Sequence, residues 1–224
     1  MTKLSTLAES LVGSEIVKLG NAIAERVRAG EHIYNFTIGD FDPKIFPIPA
    51  LLEQYIIEAY QEKQTNYPPA DGVAELRTAV SGFLEKWEDL QYAANEILIA
   101  AGGRPLIYTL FKTIVNPGDK VIYAVPSWNN NHYVNLNQAQ HCIIEATPEN
   151  NFMPTPAEIA PHIQGAALIC LCTPQNPTGT TLSKEHLTAI CEMVLAENAQ
   201  RGADEKKLYI MFDQMYSTLT YGET

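Results

Sequence analysis

Ile16, Leu19, Ile23 and Val27 recur at helical spacing, which predicts an amphipathic helix over 14–29 with Ser14 as its cap and Gly30 at its end. An extended segment over 34–38 follows and runs into Gly39, Asp40, Phe41, Asp42 and Pro43, a cluster that breaks regular structure. Helical spacing resumes over about 50–61 and again over about 73–87, where Leu76, Val80, Phe83, Leu84 and Trp87 share one face. Between these helices 66–72 reads as loop, with Pro68, Pro69 and Gly72.

After Asn95 the pattern changes to short, nearly continuous apolar runs over 97–101, 121–125, 142–146, 167–172 and 208–212. Helical stretches separate them: one reaching to about 115, one near 155–163 and one over 184–198. Thr155, Pro156 and Glu158 supply a cap, a first-turn proline and a capping-box acid for the second of these. Apolar strands alternating with helices imply a parallel sheet covered on both faces, so the predicted class is α/β. There is no internal repeat and no low-complexity tract.

Composition narrows the function classes. The 224 residues carry 15 Lys+Arg against 26 Asp+Glu, a formal charge of −11, and no basic run is longer than Lys206-Lys207. Such a chain repels phosphate backbones, which argues against nucleic-acid binding. Cys142, Cys170, Cys172 and Cys191 form no CxxC and no zinc-ligand spacing, so reduced thiols and no metal site are expected. The longest apolar run, 166–172, falls far short of the ~20 residues that span a bilayer. The N-terminus lacks a basic stretch followed by an apolar core. The expectation is a cytoplasmic protein with no membrane contact.

In open parallel sheets ligands bind outside the carboxyl ends of the strands, which directs attention to four short segments. Gly102, Gly103 and Arg104 follow the first predicted strand. Their backbone can approach a ligand closely at a helix start, a geometry that suits phosphate, and they also suit a plain strand-to-helix turn. Trp128, after the second strand, offers a flat face for an aromatic ring or a core contact. Asn176 sits between Pro174 and Pro177, where its amide can reach a ligand oxygen or simply shape the turn. Asp213 emerges from an apolar strand, where a carboxylate calls for a partner such as a cationic ring nitrogen, or acts as a turn residue. Pyridoxal 5'-phosphate carries all four complements at once: phosphate, ring face, ring oxygen and protonated ring nitrogen.

The order and spacing of these segments resemble fold-type I pyridoxal-phosphate enzymes, most closely the class I and II aminotransferases. The resemblance runs along almost the whole chain. Ser14-Glu15-Ile16 and the segment from Phe36 to Asp42 resemble that family's first helix and glycine turn, and Asn116-Pro117-Gly118-Asp119-Lys120-Val121 its turn into the second strand. Tyr67 with Gly72, Glu75, Leu76 and Arg77 is similar to its tyrosine loop, and Asn176-Pro177-Thr178-Gly179 followed by Asp213 and Tyr216 is the most specific part. The resemblance implies that Gly102, Gly103 and Arg104 hold the phosphate, with Tyr67 reaching the phosphate of a neighbouring subunit. It implies that Trp128 stacks on the ring, Asn176 and Tyr216 bond the ring oxygen, Asp213 faces the ring nitrogen, and Gly39 meets the substrate carboxylate. Gln214 stands where the family usually has glutamate.

The implied architecture is a three-layer α/β/α large domain, incomplete here, over 46–224, with an arm and a segment of a smaller α/β domain over 1–45. The implied reaction is transamination between an amino acid and a 2-oxo acid, in a homodimer whose sites are completed across the two-fold. The family's Schiff-base lysine lies beyond the Asp-x-x-Tyr segment, and no lysine up to Thr224 occupies its position. The expectation is therefore the N-terminal part of a longer enzyme, inactive by itself. A lyase or synthase of the same fold shares the cofactor-holding residues. A non-catalytic module retaining the pocket shell is a second alternative. A nicotinamide-binding domain fits poorly, since Gly102-Gly103 is not a GxGxxG.

Overall fold

The computed structural model describes residues 3–11, 13, 15–37, 39 and 42–221, so Ser14, Ile38, Asp40 and Phe41 lie outside the described residues. The chain divides into two compact units, Met1–Val73 and Ala74–Thr224. In the first, a single turn α1 (Thr6–Glu9) precedes α2 (Glu15–Arg28) and α3 (Ala50–Gln61). Gly30 ends α2 as predicted. It adopts φ +91°, its N–H reaches the Val27 carbonyl and the Glu31 N–H reaches that of Arg26, which satisfies the last helical carbonyls. None of these three helices buries a residue. Residues 34–37 form no ladder.

The second unit holds the sheet. It begins with α4 (Ala74–Glu88), whose predicted apolar face stays open, Leu76, Phe83 and Trp87 being 45%, 48% and 65% exposed. The strand predicted over 97–101 does not form. A 3-10 turn, Ala94–Glu96, leads into an unpaired stretch that bends at Ala101, and Leu98 remains 48% exposed. An apolar run becomes a strand only against a partner's row of amides and carbonyls, and none of the described residues supplies one.

From there the order is α5 (Gly103–Ile114), β1 (Lys120–Val125), α6 (Asn130–Leu136), β2 (Gln140–Glu145), α7 (Pro156–Ile159), β3 (Ala166–Cys172), α8 (Lys184–Gln200) and β4 (Tyr209–Asp213), which is the predicted alternation with one helix more, α6, between the first two strands. All three strand pairings are parallel and the order is β2-β1-β3-β4. The chain steps to one side of β1 and then returns to the other, so the crevice between the ends of β1 and β3 is a topological switch point.

Successive side chains on β1 and β3 enter opposite layers. Val121, Tyr123, Leu168 and Cys170 pack with Phe111 of α5 and with Tyr133 and Val134 of α6. Ile122, Ile169 and Leu171 pack with Ile159 of α7 and with Ile190 and Val194 of α8. The second unit is thus helix on sheet on helix. Around α7 the capping box forms in full: the Glu158 N–H donates to Thr155 Oγ1 at 3.3 Å and the Thr155 N–H to Glu158 Oε2 at 2.8 Å. Asn198 on α8 brackets the start of β4, donating to the Leu208 carbonyl at 2.8 Å and accepting from its N–H at 2.7 Å. No helix among the described residues is long and apolar enough to cross a membrane.

Candidate functional site

The carboxyl ends of β1, β3 and β4, together with the start of α5, bring most of the predicted residues into one region. Helix α5 begins two residues ahead of Pro105, because Gly102 takes φ +95° as its N-cap and so turns the chain into the helix early. Gly103 and Arg104 therefore carry first-turn N–H groups with no intrahelical acceptor, while Pro105 has none to offer. A Cβ built on Gly103 would lie 3.1 Å from the Met215 methyl, so the start of α5 approaches the turn after β4 closely.

At the end of β4, Asp213 opens a tight turn in which its Oδ1 accepts the Met215 N–H at 3.0 Å. Its other oxygen accepts no hydrogen bond from the described residues. Tyr216, one turn further, accepts at its hydroxyl from Asn176 Nδ2 at 3.1 Å. Two side chains that are 40 residues apart in sequence, and were matched to the same ring oxygen, thus meet directly. Asn176 projects from a loop closed by the Gln175 N–H on the Thr180 carbonyl (2.9 Å) and the Gly179 N–H on the Gln175 carbonyl (2.7 Å). The Thr173 N–H on the Asp213 carbonyl, at 3.2 Å, ties this loop to the end of β4.

Trp128 follows β1 and is 40% exposed, so it is not taken up in the core. Beside it Asn130, buried at the start of α6, donates to Ser127 Oγ at 3.3 Å. Tyr133 on the same helix lies under the region, its ring 5.5 Å from that of Phe111. Burial raises the Tyr133 phenol; the Arg104 charge lowers it and the Asp213 charge raises it, so both charges act at this one group. Gly39 and Tyr67 belong to the first unit, where both are exposed, Tyr67 at 98%.

Nothing in the sequence pattern singles out Cys172, Tyr133 or Gln175. The Cys172 thiol donates to the Pro174 carbonyl at 3.3 Å, and its pKa is pushed up to about 11, by burial first and by Asp213 second. A raised thiol pKa favours the neutral form in the fold. Its stabilisation is complete below about pH 9 and is lost as the pH climbs through about 11. At pH 8 iodoacetamide should modify Cys172 roughly 100-fold more slowly than a free thiol, with a rate rising about tenfold per pH unit. Peptide mapping of the alkylated protein reads this directly; a half-point near pH 9 would remove Asp213 and burial as its neighbours.

The sequence model of the family described as "Aminotransferase class I and II" matches residues 31–224. Among curated relatives, the aspartate aminotransferase of Bacillus subtilis (strain 168) is 27% identical over 222 residues, covering 98% of this chain and 53% of its own length. A probable N-acetyl-LL-diaminopimelate aminotransferase of the same organism is 32% identical, over 97% of this chain and 52% of its own. The solved structure of aspartate aminotransferase from Thermus thermophilus with maleate superposes on all of this chain, and on 56% of that one, with a TM-score of 0.88 and 26% identity. The chain spans about half the length of the curated relatives it matches.

Proposed function

Because the chain belongs to the class I and II aminotransferases, we propose that the protein it forms moves an amino group from an amino acid to a 2-oxo acid with pyridoxal 5'-phosphate as cofactor. One observation carries the reading. The Asn176–Tyr216 hydrogen bond fuses the two most specific segments of the sequence at the end of the sheet, beside Asp213 and the start of α5.

The chemistry of the donor set fits the cofactor. First-turn amides of Gly103 and Arg104, with the Arg104 side chain, suit a dianionic phosphate. An uncommitted Asp213 oxygen suits a protonated ring nitrogen, and the open face of Trp128 suits the ring itself. Asn176 and Tyr216 would share the ring hydroxyl. When bound, pyridoxal phosphate supplies an electron sink for the negative charge left at Cα of an amino acid. Asp213 would keep the ring nitrogen protonated and so sustain that sink. In the full protein Gly39 would meet the substrate carboxylate, and Tyr67 the phosphate in the partner of a homodimer. Amino acids and 2-oxo acids are the proposed substrates.

The lysines nearest Asp213 in the chain are committed elsewhere. Lys206 pairs with Asp119 and donates to the Ile114 carbonyl, and Lys207 donates to carbonyls of Asn198 and Arg201 at the end of α8. Neither lysine is therefore proposed as the amine that holds the cofactor. Four unpaired cysteines favour a reducing, cytoplasmic setting.

The test is an assay of the full-length protein with amino-acid donors and 2-oxoglutarate. One oxo acid formed per donor consumed, without ammonia, supports transamination. Stoichiometric ammonia would assign the fold to elimination instead, and a protein that gains no visible absorption with pyridoxal phosphate would overturn the cofactor reading.

A further inference from the structure

Gln175 is 5% exposed, and its side chain joins loops that follow three different strands. Its Nε2 donates to the Pro126 carbonyl at 2.7 Å, in the loop after β1, and to the Phe152 carbonyl at 3.2 Å, in the connection after β2. Its own backbone closes the loop after β3 at both ends, through Thr180 and Gly179. Pro126, Pro174 and Pro177 leave these loops short of backbone N–H donors, so a side-chain amide supplies what the backbone lacks. The void beside Gln175 is about 10 Å³, at the lower limit of what admits a water, so solvent is a poor substitute for the amide.

We infer that Gln175 is a positioning residue: its two side-chain hydrogen bonds fix the Trp128 loop relative to the Asn176 loop and so set the width of the slot between ring face and ring-oxygen donors. Trp128 lies two residues beyond the Pro126 carbonyl, and Asn176 is the next residue after Gln175, so no flexible segment intervenes on either side. Gln175 itself touches no ligand. It acts through Trp128 and Asn176, and the inference rests on the cofactor reading only for what the slot holds.

The test separates the two. In the full-length protein, with Trp87 and any tryptophan outside the 224 residues changed to Phe, Trp128 is the sole tryptophan, since the 224 residues hold two. Gln175→Met keeps the length and shape and removes both donors; Gln175→Glu keeps the length and shape and turns a carboxylate acceptor on the two carbonyls. The probe is 4-deoxypyridoxine 5'-phosphate, which has ring nitrogen, ring hydroxyl and phosphate but no aldehyde to react with surface lysines. Loss of two buried donors should raise acrylamide quenching of Trp128 about twofold and weaken probe binding roughly tenfold for Met, and more for Glu. Far-UV circular dichroism should be unchanged for Met. A purely structural Gln175 would lower the melting temperature while quenching of the folded variants stays unchanged and their affinity stays within twofold of the unsubstituted protein, and that result overturns the inference. If Glu fails to fold, Met decides. If the unsubstituted chain binds no probe, the cofactor reading falls, and Trp128 quenching still decides the role of Gln175.

Discussion

Asp213→Ala should weaken binding of 4-deoxypyridoxine 5'-phosphate about a hundredfold, with Asp213→Asn close behind. The carboxylate stands at the end of β4 with one oxygen held by the Met215 N–H and the other uncommitted. A charge-assisted hydrogen bond at a partly buried position contributes about 1.5–3 kcal/mol, hence roughly 10- to 150-fold in affinity. Asn retains the acceptor for Met215 and a neutral group toward the ligand, so it isolates the charge from the turn. An independent readout accompanies it. Asp213 is the second cause of the raised Cys172 pKa, so Asp213→Asn should bring that thiol down from about 11 and speed its alkylation at pH 8–9. Calorimetry measures the first effect and peptide mapping the second. Faster alkylation with unchanged affinity would leave Asp213 where it is and remove it from the ligand; unchanged affinity and unchanged alkylation would contradict the geometry itself.

What the sequence made legible follows local chemistry. The helix over 50–61 and the strands of the second unit came from apolar periodicity, and Thr155 with Glu158 came from capping chemistry, because neighbours along the chain decide both. Helix α6 escaped notice. It opens Asn130-Asn131-His132, weak helix formers, and is held by burial of Tyr133 and Val134 against Phe111, a tertiary cause with no local sign. The unformed strand over 97–101 is the converse, an apolar run that needs a partner strand, which none of the described residues supplies. Among the candidate site residues, those at strand ends are legible as candidates because topology fixes where ligands approach. Gln175 was not, since its partners at Pro126 and Phe152 are 49 and 23 residues away. The missing donors of Pro126, Pro174 and Pro177 were its one visible signal.

Phe111→Ala should cost about 3–5 kcal/mol, against the 5–15 kcal/mol that typically holds a domain folded. The ring is fully buried at the centre of the layer formed by α5, α6 and the sheet, touching the set that includes Val121, Tyr123, Tyr133, Val134 and Leu168. At 2–4 °C per kcal/mol for a chain of this size, the melting temperature should fall by roughly 10 °C. Leu195→Ala on α8, a residue 69% exposed, is the control and should stay within about 0.5 kcal/mol. The substitution also reaches the site, because α5 carries Gly103 and Arg104 at its first turn and Phe111 two turns later. A cavity under the helix loosens its seat on the sheet, so probe affinity should weaken severalfold even well below the melting temperature. Arg104 should then bear less strongly on Tyr133, whose phenol titration, followed by ultraviolet absorbance, would move upward as that favourable charge recedes. Intact affinity in a protein destabilised by the expected amount would mean that the phosphate-facing amides are held by something other than the packing of α5, and would separate the fold's stability from the site's geometry.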